Sequence, residues 1–152
     1  MSSQAITLAD AIAAQLNSAS AAELFSERFD KRFEARRVFI IPQELSYYDE
    51  IRVVVVPILL EREIVSRGTD QQTYTVSIGV RKRLGSLNDM DEQIAANIAV
   101  VEAIGDYLRD NPLEAIETAT YIGATLILFD PEAMNETRIA TSVIDVQYVI
   151  GG

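Results

Sequence analysis

IRVVVVPILL, residues 51–60, is the stretch from which the fold can be predicted. Its β-branched run, residues 53–56, has no polar alternation, which is typical of a strand that is covered on both faces near the middle of a sheet. Pro57 cannot donate a hydrogen bond to a neighbouring strand, so we expect a bulge or an edge position there. A sheet built around this strand is therefore the predicted centre of the fold.

Further strands are predicted on both sides of this stretch. Residues 73–81 (TYTVSIGVR) alternate between polar and apolar side chains, which predicts a strand with one apolar and one polar face. Residues 33–42 (FEARRVFIIP) favour an extended strand before the central one, with the preceding phenylalanines as anchors under a loop. Residues 121–129 and 138–150 predict two closing strands, separated by a turn at Asp130-Pro131.

Two helices are predicted from apolar residues at helical spacing. The first runs from Thr7, its expected cap, to about Ala19, and the second from about Asp89 to Asp110. Gly105 lies in the apolar stripe of the second helix, where we expect it to allow close approach to the sheet. The order of elements predicts one α+β domain over residues 1–152, with a mainly antiparallel sheet of about five strands and both helices on one face.

The composition argues against catalysis. The chain has no cysteine and no histidine, which removes the thiolate nucleophile, the commonest general base and the commonest metal ligand. Carboxylates, lysine, tyrosine, serine and threonine remain, but no glycine-rich phosphate-binding motif and no nucleophile elbow accompanies them. We therefore expect no enzyme, no cofactor and no metal site.

The charge balance argues against nucleic-acid binding. Thirteen basic and 23 acidic residues give a net charge of −10, which repels a phosphate backbone. Two small basic clusters are interpreted as surface or intersubunit pairing: Lys31, Arg32, Arg36 and Arg37, and Arg81, Lys82 and Arg83. The start of the chain lacks the pattern of a signal peptide, and its longest apolar run is too short to span a bilayer. We expect a soluble protein that is made in the cytoplasm and has no membrane partner.

Two polar segments are candidate contact sites. Glu102, Asp106 and Asp110 recur at intervals of four along the second helix. A metal or basic-partner site is one reading, and a solvated acidic face is the favoured one, because one helix cannot supply a closed shell of oxygen ligands. Residues 61–72 (EREIVSRGTDQQ) form a long polar connection. We predict a partner contact there, and the alternative is a plain hairpin arm. The charged residues of this connection are Glu61, Arg62, Glu63, Arg67 and Asp70.

Several segments together resemble the tail terminator, or tail completion, proteins of tailed bacteriophages. They are LADAIAAQLN (residues 8–17), VVVVP (53–57), SRGTDQQTYTVSIGV (66–80), the long acidic helix, and the closing R-x-x-T-S-V-x-x-V-x-Y (138–148). The resemblance covers nearly the whole chain. It implies a virion protein that forms a ring, typically a hexamer, which caps the tail tube, stops its polymerisation and joins it to the head. The implied partners are further copies of this chain, the tail tube protein and a neck or head-completion protein, and no enzyme is implied.

A ring at the end of a tail tube must let DNA pass without holding it. We therefore predict a neutral to acidic channel wall, since a cationic wall would bind phosphates. Two sets of residues are candidates for this wall: the strand positions Thr75, Ser77, Asp145 and Gln147, or the helix face of Glu102, Asp106 and Asp110. The alternatives in function are another tail or neck protein (a tube or connector), a small carboxylate-dependent enzyme, and a small-molecule binding module.

Overall fold

The fold is a five-stranded mixed sheet with two long helices packed on one face. A computed structural model describes residues 3–22, 33–66, 69–85 and 90–150. The helices are α1 (Gln4–Ala21), α2 (Met90–Asp110) and the short α3 (Pro131–Thr137), and a 3₁₀ turn spans Leu45–Tyr48. The strands are β1 (Glu34–Arg37), β2 (Arg52–Ser66), β3 (Thr69–Arg83), β4 (Ala119–Ile127) and β5 (Ile139–Ile150).

The strand order across the sheet is β1-β2-β3-β5-β4. Only the pair β1–β2 is parallel, and the other pairs are antiparallel, so the predicted fold class is confirmed. A parallel pair needs a long crossover, and residues 38–51 supply it. The register of β2 against β3 shifts between Pro57 and Leu59, which confirms the predicted bulge.

The core lies between the sheet and the two long helices. The apolar set of β3 (Tyr74, Val76, Ile78 and Val80) is buried, as its alternation predicts. The same face of β5 buries Ile144, Val146 and Tyr148, while α1 contributes Leu8, Ile12 and Leu16 and α2 contributes Val101, Ile104 and Leu108. We call this side of the sheet the helix face.

Two helix boundaries differ from the sequence prediction. Helix α1 begins one turn earlier than expected, because Ser3 is the cap and its Oγ accepts from the amide of Ile6 at 3.4 Å. Thr7 lies inside the helix, where its hydroxyl donates to the Ser3 carbonyl. The predicted turn at Asp130-Pro131 continues into α3, which begins at Pro131, a residue well suited to a first helical position. The predicted start of α2 at Asp89 lies outside the described residues.

The opposite side of the sheet, which we call the open face, is covered only at one end. Tyr48 of the 3₁₀ turn is fully buried there, with the guanidinium of Arg81 placed 4.9 Å from the centre of its ring. The prediction that β2 is covered on both faces is right for residues 53–55, which are buried. It is wrong for Ile58 and Leu59, which are half exposed because the crossover does not reach them.

Candidate assembly surfaces

The strand residues predicted for a channel wall lie together on the open face. Ser77 is directly opposite Asp145, and Thr75 is directly opposite Gln147 in neighbouring strands. The Gln147 amide donates to the Thr75 hydroxyl at 3.5 Å. Asp145 is half-buried, and its Oδ1 has no hydrogen-bond partner among the described residues. These four side chains form one continuous neutral-to-acidic patch in the middle of the sheet.

The helix residues predicted as the alternative wall lie on the other side of the molecule. Arg109 pairs with both Asp106, at 3.5 Å, and Asp110, at 3.0 Å, and its hydrogen bond holds the pKa of Asp110 below the ordinary value. Glu102 is exposed on the same helix. In the described part of the chain, no cluster of three or more acidic side chains is arranged to hold a metal ion. Because α2 packs on the helix face, one channel wall cannot be made of both candidate sets.

The predicted loop of residues 61–72 is a hairpin arm. Strand β2 continues to Ser66 and β3 starts at Thr69, so Glu61, Arg62 and Glu63 lie in β2 and Asp70 lies in β3, while Arg67 is outside the described residues. The connection therefore extends the two strands as an arm, and the partner contact predicted on it stays a prediction. The physical reason is that no proline or glycine interrupts the chain between Ile58 and Ser66, so the ladder has no cause to stop.

The arm extends beyond the rest of the sheet. The last described residue of β5 that pairs with β3 is Ile150, opposite Gln72, so among the described residues the arm is two-stranded past this point. Ile64 in this part is 77% exposed. A two-stranded ribbon is marginally stable in water by itself, and this makes the arm, with its exposed apolar side chain, a candidate contact surface.

The backbone groups at the two edges of the sheet differ in whether another part of the chain satisfies them. On β1, the Asn17 side chain of α1 donates to the Ala35 carbonyl at 2.8 Å and accepts from the Ala35 amide at 2.6 Å, so it satisfies the backbone of this edge. Strand β4 is the last strand on the other side. Ile122 and Ile127 of β4 are each about half exposed. An exposed edge with apolar side chains is a template for pairing with another chain.

The basic clusters are mostly engaged within the chain. Arg37 pairs with Asp10 at 2.9 Å, and Arg83 pairs with Asp49 at 3.4 Å. Arg81 packs on Tyr48, as described above, and Lys31 and Arg32 lie outside the described residues. Arg36 is exposed on β1. In the part of the chain that the structure describes, this arrangement favours the interpretation of these residues as pairing groups.

A shallow cleft between α1 and the end of α2 is the place to test the small-molecule alternative. It has a volume of about 260 Å³ and is lined by Gln15, Tyr107, Glu114 and several alanines. Gln15 already bridges two backbone groups, because its amide donates to the Pro112 carbonyl and accepts from the Glu114 amide. The Gln15 side chain is therefore engaged within the chain.

Comparison with known proteins identifies the fold. No protein-family model and no curated protein matches the sequence. Among solved structures, a chain from the virion of the native gene transfer agent particle matches with a TM-score of 0.54 and 13% identity, over 99% of this chain and 100% of that chain. The likeness shows a shared fold over the full length of both chains. Among the described residues, no helix is both long and apolar enough to cross a membrane.

Proposed function

We propose that this chain is a virion structural protein of a tailed phage or a related particle, and that it acts there as the tail terminator. In this role a ring of copies, a hexamer in the family that the sequence resembles, caps the tail tube, stops its polymerisation and joins it to the neck or head. The observation that carries the proposal is the full-length fold likeness to a chain of a virion. The sequence segments described above support the finer assignment to the tail end.

The surfaces of the chain support a role in assembly. Ile64 on the arm and Ile122 on the edge strand are exposed, and they lie at opposite sides of the sheet. Separate apolar patches at two sides of one molecule suit contacts that repeat head to tail, which close into rings. The proposed partners are copies of this chain, the tail tube protein and a neck or head-completion protein.

The electrostatics suit a channel through which DNA passes without being bound. Both candidate walls are neutral to acidic, and the net charge of −10 is multiplied in a ring. The proposed role includes no catalytic step and requires no cofactor or metal ion. It places the protein in the virion tail after synthesis in the host cytoplasm.

The proposal is tested by adding the purified chain to the polymerising tail tube protein of the same particle and measuring tube lengths by electron microscopy. We expect growth to stop and a cap to appear at one end of each tube. Ile122→Glu should abolish this arrest, whereas Glu102→Gln, which also changes the charge by one unit but lies on the exposed side of α2, should not. Tubes that grow without limit, or that incorporate this chain along their length, would contradict the terminator role; the second result would indicate a tube protein.

A further inference from the structure

We infer that neighbouring copies join edge to edge, with the outer edge of β4 in one copy paired to the outer edge of the β2 arm in the next. This inference rests on the proposed function, because a closed ring is what such pairing builds. It specifies the surface, the residues and the side of the sheet that faces the channel.

Two backbone edges are available for this pairing. Strand β1 pairs with β2 only from Arg52 to Val55, and the amide of Val38 then bonds to the Val55 carbonyl. From Val56 to Ser66, β2 has no second neighbouring strand in the described part of the chain. The outer side of β4, Ala119–Ile127, is equally without one. These edges lie on opposite sides of the sheet, so their contact is head to tail.

The strand directions make the two edges compatible. Beyond β1, each successive pair in the order β2-β3-β5-β4 is antiparallel, so β2 and β4 run in opposite directions. A copy moved sideways with the same face outward therefore presents its β2 antiparallel to β4. The sheet continues through the contact with the same alternation, and closing the ring pairs the free edges of β4 and of the β2 arm.

The free parts of the two edges lie at the same height along the strand direction, as the pairing across the sheet shows. Arg62 pairs with Gln72, Gln72 with Ile150, and Ile150 with Ala119, so Arg62 and Ala119 lie at one level of the sheet. By the same steps, Glu61 lies level with Thr120. A sideways repeat therefore brings the arm beside the start of β4, and the shear of a closed sheet shifts it along the strand from this level.

The charges on the two edges are complementary on the helix face. Arg62 lies two residues after Leu60 on β2, so both side chains point to the helix face, where Leu60 packs on the core. Arg62 makes no ion pair with any described residue. Next to β4 on that side lies the end of α2, where Arg109, Asp106 and Asp110 all act electrostatically on Tyr121 and together carry one net negative charge. Continuing the sheet places Arg62 of one copy near these carboxylates of the next. Charge pairs of this kind set register and orientation in an interface.

The opposite side of the arm fits the open face of β4. Glu61 and Glu63 point to that side, where β4 carries Thr120 and Thr125 and no charged residue. A sheet flipped over at the contact would instead place both glutamates against the acidic end of α2. The continuous arrangement is the one that avoids repulsion between like charges.

Pairing of the two edges in a ring determines which of the two candidate sets of residues lines the channel. A closed sheet with helices on one face carries them outside, because the outer layer has the larger circumference. The open face then lines the channel, with Ser77, Asp145 and Gln147 partly exposed, Thr75 buried among its neighbours, and the exposed Arg36 of β1 on the same side. Glu102, Asp106 and Asp110 lie on the outside of the ring.

Engineered disulfides test the contact, because the natural chain has no cysteine. Thr120→Cys is combined with Glu61→Cys, and in a second protein with Glu63→Cys, to sample two registers. Caps assembled on tail tubes are oxidised and analysed under denaturing conditions. We expect one of the double variants to give a ladder of covalent multimers up to the full ring. A mixture of the two single variants should give covalent dimers only. Thr120→Cys with Glu102→Cys is the control and should give no ladder.

A charge swap tests the same contact without cysteines. Arg62→Glu should weaken ring formation roughly tenfold, and Asp110→Arg in the same chain should restore it, since the pair is then reversed. Intact caps with no ladder in either register, together with no effect of Arg62→Glu, would overturn the edge contact and leave the terminator role standing. Unlimited tube growth with the natural chain and no ring at any tube end would overturn both.

Discussion

Gly105 on α2 lies directly against Ile144 on β5, so closely that a methyl group built on Gly105 would come within 3.0 Å of the Ile144 Cδ1 atom. Ile144 is fully buried at the centre of the sheet. Glycine in a helix interior costs about 1 kcal/mol relative to alanine, so its presence here indicates that the close approach matters more than helix propensity. This contact sets the distance between α2 and the sheet.

The first prediction is a double-mutant cycle on this contact. Gly105→Ala should lower the free energy of unfolding by about 1 kcal/mol, because overpacking outweighs the gain in helix propensity. In the Ile144→Val background, which removes Cδ1, the same change should be neutral or stabilising. Urea denaturation of the four proteins measures both effects. Gly123→Ala, where a methyl group meets no atom within 4 Å, is the control for overpacking. An equal effect of Gly105→Ala in both backgrounds would show that the contact is not limiting.

The second prediction concerns a buried hydroxyl that connects three elements. The Ser142 Oγ donates to the Leu128 carbonyl at 2.6 Å and accepts from the Asn97 amide at 3.0 Å. Ser142→Ala should lower the free energy of unfolding by about 1–3 kcal/mol, since the buried Asn97 amide and the partly buried Leu128 carbonyl each lose a partner. Thr141→Ala, at the next position on the other side of the sheet, should change it by less than about 0.5 kcal/mol. Similar losses in both variants would contradict this account.

The third prediction is a loss of stability in alkali that depends on Tyr148. Burial raises the pKa of Tyr148 well above its ordinary value, and its hydroxyl has no partner among the described residues. The folded state therefore holds the phenol proton, while the unfolded chain loses it above about pH 10. Stability from this group is complete below that pH and falls above it by up to about 1.4 kcal/mol per pH unit.

Tyr148→Phe separates this effect from other alkaline effects. The variant should be as stable as the natural protein or more stable at pH 7, because it removes a buried hydroxyl without a partner. Its stability should fall less steeply between pH 10 and pH 12, measured by thermal unfolding at a series of pH values. A steeper fall in the variant than in the natural chain would contradict the assignment.

The fourth prediction concerns DNA in the channel. The natural protein should not bind duplex DNA tightly at any ordinary salt concentration. Asp145→Lys places a cation on the open face, and rings of this variant should bind DNA with a strong salt dependence. Glu102→Lys makes the same charge change on α2 and should have little effect, because that face lies outside the ring. A larger effect of Glu102→Lys, or tight salt-sensitive binding by the natural protein, would contradict the proposed channel wall.

The sequence predicts the parts of this fold that depend on short-range patterns. The alternation of residues 73–81, the bulge at Pro57 and the close approach at Gly105 are all visible as residue types at fixed spacing. Contacts between segments that are distant in the sequence leave no such pattern and cannot be predicted in this way. Asn17 satisfies the edge of β1, 18 residues away, and Asn97 is a buried polar residue in a helix, but both look like surface positions in the sequence.

The candidate assembly surfaces can likewise be predicted only in part from the sequence. The sequence predicts the residue types of the channel wall but does not show that the two candidate sets lie on opposite sides of the sheet. It also does not show that the charged segment of residues 61–66 is a strand with a free edge, because a polar ribbon has no buried face to produce a pattern. The apolar residues Ile64 and Val65 within this charged segment are the signal that the sequence offers for a contact surface.

The most direct test of the central claim is a cryo-electron microscopy reconstruction of tail tube ends that carry this protein. The account predicts one closed ring of this chain at the end of the tube, with α1 and α2 on the outside and Ser77 and Asp145 lining the channel. A monomer at the tube end, an open filament, or copies distributed along the tube would contradict it.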